Sequence, residues 1–294
     1  MIAKIDAHHH LFARDLTQYP MLVQPSVERF YGDTEHLKRE FGPAQYIALA
    51  RAHNVVKSVY VESGFHQPVQ ETAYAQSIAD QYGFPQAIIA KGDLESPSIA
   101  ADLEVHMRSA NFRGVRVCLN WDTDSRRASA PRAGVAREPR WRAGYGELAK
   151  RSLTADIMIL PGQFDDLAAI AADFPQVQII LNHAGLPFSD GPEGLRPWSD
   201  GMRRLARCPN IAVKISGLGM VDHHWTVDTI RGLVTTTIDV FGTDRCLFAS
   251  NFPIDGMYSS YGALFDAFED ITGALPQSER VKLFHDNAAR IYRI

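Results

Sequence analysis

Met1-Ile2-Ala3-Lys4-Ile5-Asp6-Ala7-His8-His9-His10 opens the chain. Its first half is short and mostly apolar, the pattern of a buried first strand. Side chains alternate between the two faces of a strand, so His8 and His10 point one way and His9 the other. Two imidazoles on one face, where a strand meets a loop, can hold a metal ion or share a proton. The bland alternative is a polar loop that happens to be rich in histidine.

Working outward, short apolar runs alternate with helical periodicity to the end of the chain. Strands are expected at residues 55–61, 86–90, 114–119, 155–160, 177–181, 211–215 and 246–249. Helices are expected at 43–53, 70–82, 98–109, 141–151, 164–174, 198–207, 227–241 and 261–272, with a last one at 277–292. The strands are apolar and rich in β-branched residues, as strands buried on both faces are. Eight strands, each followed by a helix, argue for a parallel sheet closed into an α/β (β/α)₈ TIM barrel. The expected organisation is a single domain over residues 1–294 with C-terminal helices. The alternative is an open doubly wound sheet, but no GxGxxG follows the first strand. Residues 11–42 and 186–197 read as long loops, and long loops in compact domains are often functional.

Composition narrows the function. Hydrophobic residues make up 46 % of the 294, charged residues 22 %, and the net charge is -4. That is a globular profile with no basic field for nucleic acid. No apolar run approaches the roughly 20 residues that cross a bilayer, and the N-terminus has no apolar signal core, so no membrane association and a cytoplasmic location are the expectations. Cys118, Cys208 and Cys246 are odd in number and far apart, which argues against a disulfide framework. A small-molecule substrate is the expected partner, and a homo-oligomer is compatible with the sequence.

A barrel places its chemistry at the C-terminal ends of its strands. The polar residues there are His8 and His10 (first strand), Glu62 (second), Arg116 (fourth), Gln163 (after the fifth), His183 (sixth), Lys214 and Ser216 (seventh), and Asn251 with Asp255 (after the eighth). They are scattered in sequence, yet closure gathers them around one mouth. His223 follows the seventh strand and is a further candidate for the rim. His36, His53, His66, His106 and His285 read as structural or solvent-facing. A lysine inside a barrel must be paired or have its pKa shifted, and Glu62 is the expected partner of Lys214. Residues 120–140 carry five arginines. Most read as solvated, in a loop able to draw in an anionic substrate.

Several stretches, in order, resemble the amidohydrolase-2 group of the amidohydrolase superfamily: Asp6-Ala7-His8-His9-His10, Arg113-Gly114-Val115-Arg116, Asn182-His183-Ala184-Gly185-Leu186-Pro187, Lys214-Ile215-Ser216-Gly217, Phe248-Ala249-Ser250-Asn251-Phe252-Pro253 and Leu283-Phe284-His285-Asp286-Asn287-Ala288. The resemblance implies a TIM-barrel hydrolase. Members include sugar lactonases, a pyrone dicarboxylate lactonase and decarboxylases of aromatic acids. It implies that His8, His10 and His183 ligate a divalent ion, zinc above all, if a metal is bound. Two departures stand out. The eighth-strand position, usually Asp, is Asn251, which cannot take a proton, and the fifth-strand end carries Pro161-Gly162-Gln163 where many metal-dependent members carry His. A catalytic zinc commonly takes three protein ligands, so catalysis without a metal becomes an alternative. The leading expectation is hydrolysis of a lactone or related cyclic ester with carboxylate or sugar character. His8, His10, His183, Asn251 and Asp255 are its catalytic candidates, and Arg116, Lys214, Glu62, Gln163 and His223 its substrate-binding ones. Asp255 is the first candidate for general base. A metal-dependent decarboxylase of an aromatic or unsaturated acid, or a ligand-binding barrel that has lost catalysis, are the other readings.

Overall fold

The computed structural model describes residues 2–12, 15–25, 28–189 and 193–294. Met1 and parts of the loops at 11–42 and 186–197 lie outside them. Eight parallel strands run in chain order around a barrel: β1 (Lys4–His9), β2 (Val55–Val61), β3 (Ala87–Lys91), β4 (Phe112–Cys118), β5 (Thr154–Met158), β6 (Ile179–Leu181), β7 (Ile211–Ile215) and β8 (Cys246–Phe248). The helices that follow them are α1 (Pro43–Ala52), α2 (Pro68–Tyr82), α3 (Ile99–His106), α4 (Pro139–Lys150), α5 (Phe164–Asp173), α6 (Arg196–Leu205), α7 (Val227–Phe241) and α8 (Tyr261–Ile271). Proline opens α1, α2 and α4, where its missing N–H is no loss. Gly83, left-handed at φ 74°, ends α2.

Strand order excludes the open doubly wound sheet, because the last strand returns to the first. The seam is closed by the N–H of His10 donating to the Phe252 carbonyl (2.7 Å) and that of Asn251 to the His8 carbonyl (2.8 Å). Asp6 ties the same seam. Its carboxylate accepts from the Ser250 N–H (2.8 Å), the Ser250 hydroxyl (2.7 Å), the Tyr46 hydroxyl (3.0 Å) and the Tyr261 hydroxyl (3.1 Å).

The inside of the barrel is layered. Ile5, Val59, Ile89, Ile180 and Leu247 fill the floor against Ile291 and Tyr292. The latter two belong to α10 (Asn287–Tyr292). The C-terminal helix expected at 277–292 is divided into α9 (Gln277–Val281), a π turn at Lys282–Asp286 and α10. A second core lies between the strands and the helix ring.

A candidate active site at the barrel mouth

In β1 the register slips between Asp6 and His9. A bulge of this kind re-aims the side chains that follow. Ala7 belongs to the barrel interior, and beyond the slip His8 and His10 also face inward. His9 points outward and stacks on Tyr46 of α1 (centroids 3.7 Å apart). All three imidazoles are buried.

His8 and His10 meet at their Nε2 atoms, 3.2 Å apart. The His10 Nδ1 lies 3.0 Å from the carbonyl oxygens of both Val61 and Glu62. Those oxygens only accept, so neutral His10 carries its proton on Nδ1 and leaves Nε2 bare. Below His8, Nδ1 lies 3.4 Å from the Nζ of Lys214, an ammonium that only donates. His8 therefore carries its proton on Nε2 and gives it to His10. Burial and the Arg116 cation lower the His10 pKa to about 3. Burial first, then neighbouring cations, also lower those of His8 and His183. All three rings are neutral at pH 7. The His183 ring lies 4.7 Å from that of His8, and its Nδ1 is 3.0 Å from the Ser216 hydroxyl. His183 is left-handed at φ 55°. Gly217 passes so close that a β-carbon there would stand 2.6 Å from the His183 Nδ1, which explains glycine at that position.

Of these groups His10 and His183 border an inner cavity of about 170 Å³, lined also by Glu62, Arg116, Met158 and Asn251 among others. The Arg116 guanidinium meets Glu62 at 3.4 Å and the Met158 sulfur at 3.4 Å, while its buried Nε has no partner. An outer chamber of about 600 Å³ shares Glu62 and Cys118 with the inner one and adds Arg29, Lys91 and Arg126.

Lys214, Gln163, His223 and Asp255 stand apart from the inner cavity. Lys214, fully buried, is not paired with Glu62 as expected from the sequence; it forms an ion pair with Asp156 of β5, the next strand but one, inside the barrel. Asp156 also accepts from the Tyr292 hydroxyl (3.0 and 3.1 Å) and the Asn182 amide (3.1 Å). Glu62 instead faces Arg116 and the Gly64 N–H (2.9 Å). Gln163 pins two loops, accepting from the Trp121 N–H (3.0 Å) and donating to the Leu119 carbonyl (2.7 Å). His223 stacks on Tyr258 (4.2 Å) and bonds the Phe30 carbonyl (3.2 Å). It thereby holds the loop whose Phe30 and Tyr31 roof the cavity. Asp255 is buried behind Asn251, beside Gly219 and Trp225. Burial raises its pKa to about 7, against the smaller lowering effect of the Asn251 amide and the backbone N–H groups of Gly217, Gly219 and Met220. Asn251, left-handed at φ 55°, a conformation that asparagine tolerates, adjoins both His10 and Asp255. Of the arginines in 120–140, Arg126, Arg132 and Arg137 are held in ion pairs with Asp124, Glu138 and Asp166.

The donor set does not fit the metal that the resemblance implies. Among the described residues, no group of three or more His, Cys, Asp or Glu side chains is placed to hold an ion. His8 and His10 face each other as two ligands would. A ligating histidine, however, donates its second N–H to an acceptor, and the second nitrogen of His8 faces the Lys214 ammonium.

A family model described as amidohydrolase matches residues 5–294. The chain belongs to the amidohydrolase family. An uncharacterized protein of Sinorhizobium fredii is 42 % identical over 298 residues, covering 100 % of this amidohydrolase and 99 % of the relative. An L-fucono-1,5-lactonase of Burkholderia ambifaria is 28 % identical over 304 residues, covering 100 % and 97 %. The crystal structure of an amidohydrolase from Burkholderia multivorans with bound zinc shares the fold, with a TM-score of 0.84 at 23 % identity over 99 % of each chain. No helix among the described residues of the amidohydrolase is long and apolar enough to cross a membrane.

Proposed function

We propose that this amidohydrolase hydrolyses a lactone or related cyclic ester with carboxylate or sugar character, using its side chains alone. The observation that carries the reading is the shared wall of one small cavity. It holds neutral imidazoles, a neutral amide and an under-partnered guanidinium, with a carboxyl of near-neutral pKa one side chain behind. The likeness to L-fucono-1,5-lactonases supports a lactone over other esters.

In this reading the Ser216 hydroxyl donates to the His183 Nδ1, so His183 presents an Nε2–H to the lactone carbonyl. Arg116 anchors the anionic group of the substrate at the cavity wall. Asn251, beside His10, orients a water. Asp255, whose pKa suits a general base at neutral pH, takes the proton as the water oxygen bonds to the acyl carbon. The ring C–O bond then breaks, and the leaving alkoxide recovers that proton. His8, Lys214 and Asp156 act beneath the cavity by fixing the orientation of the His10 ring.

Substitution tests the assignment. His183→Asn is expected to lower kcat by about 100-fold or more, as loss of one oxyanion donor does. Asn251→Asp puts a second carboxyl between His10 and Asp255 and is expected to lower it as well. A large gain of hydrolysis in Asn251→Asp would show a decayed site instead.

A further inference from the structure

Lys91 ends β3, the one strand from which no residue was expected at the mouth. It follows Ile89 by two residues, and Ile89 belongs to the barrel interior, so Lys91 rises from the inward-facing side of β3. Its register partner on β4 is Arg116, which places two cations on adjacent strands, with Cα atoms about 5 Å apart. Among the described residues, one carboxylate, Glu62, lines the inner cavity that Arg116 borders and the outer chamber that Lys91 borders. Glu62 is already engaged, one oxygen by the Gly64 N–H at 2.9 Å and the other by Arg116 at 3.4 Å. Lys91 is exposed, and it has neither a hydrogen bond nor an ion pair among the described residues. Like charges facing each other across a sheet are destabilising, and this pair lacks the second anion that would balance it.

We propose that Lys91 and Arg116 together receive a carboxylate of the substrate, and that Lys91 is a specificity-determining residue selecting carboxylated over neutral rings. This rests on the lactone reading above for the identity of the ring, though not for the charge it carries. Arg116 sits at the inner cavity and Lys91 in the outer chamber, so the carboxylate projects outward from the ring.

Two measurements test it, one independent of catalysis. In the first, binding of isophthalate and of its neutral analogue isophthalamide is compared by calorimetry. The wild-type protein is expected to prefer the dicarboxylate, Lys91→Gln to lose at least fivefold of that preference, and Lys91→Arg to keep it. In the second, the ratio of kcat/KM for a carboxylated lactone to that for a neutral aldonolactone is expected to fall at least fivefold in Lys91→Gln, through KM. An unchanged isophthalate preference in Lys91→Gln overturns the proposal. Loss of that preference, in a protein that hydrolyses no lactone, upholds the anion site and overturns the lactone reading instead.

Discussion

Asp255 is a buried carboxyl next to Asn251. Its pKa, raised from 3.8 to about 7 by burial, means that the folded protein keeps this proton after the unfolded chain has released it. Stability from this group is therefore undiminished below pH 4, falls as pH rises from about 4 to 7, and stays low above that. The full cost is about 4 kcal/mol. Asp255→Asn is expected to be more stable than the wild type at pH 8 and similar to it at pH 4, in urea unfolding at the two pH values. The same substitution is expected to lower kcat/KM by about 100-fold or more and to abolish the rise of the wild-type rate through pH 7. Equal stability at both pH values, or an unaltered pH–rate profile, would remove Asp255 from the mechanism. Sequence position pointed to Asp255 through its place after β8, but its direction was not legible there. The side chain turns behind Asn251 because Gly219 leaves room beside it.

At the scale of elements, the barrel depends on the seam between β1 and β8, and Asp6 holds it. Asp6→Ala leaves the Ser250 N–H and three hydroxyls without their acceptor. Each buried group so stranded costs about 1–3 kcal/mol, and a loss of at least 3 kcal/mol in urea unfolding is expected. The eight strands and their order were legible because buried parallel strands write continuous apolar runs. The shared face of His8 and His10 is legible from alternation, but the bulge that turns that face inward is not. Helix 277–292 read as one element because its apolar spacing carries across a π turn. Gln163 and His223 read as ligand contacts because they follow strand ends. Loop positions do not reveal whether a side chain turns to the cavity or, as these do, to a neighbouring backbone.

Across the whole molecule, the pair Asp156–Lys214 links β5, β7 and α10 through Tyr292. The sequence offered Glu62 as the lysine's partner because both end strands with polar residues. Which strands face each other across a closed barrel depends on tilt and register, which no local pattern carries. Asp156→Ala strands the lysine and is expected to cost about 3–5 kcal/mol, whereas Asp156→Leu with Lys214→Met should recover much of that stability while lowering activity. A single lysine after an apolar run looks like ordinary strand termination, and the meaning of Lys91 comes from Arg116 one strand away. The proposed reaction is lactone hydrolysis by side chains without a metal. The most direct measurement is acid release from a panel of carboxylated and sugar lactones by protein treated with chelator, before and after zinc is restored. Turnover by the chelated protein, no more than twofold changed by zinc, is the expected result. No turnover of any lactone, or turnover that appears only with zinc, would contradict it.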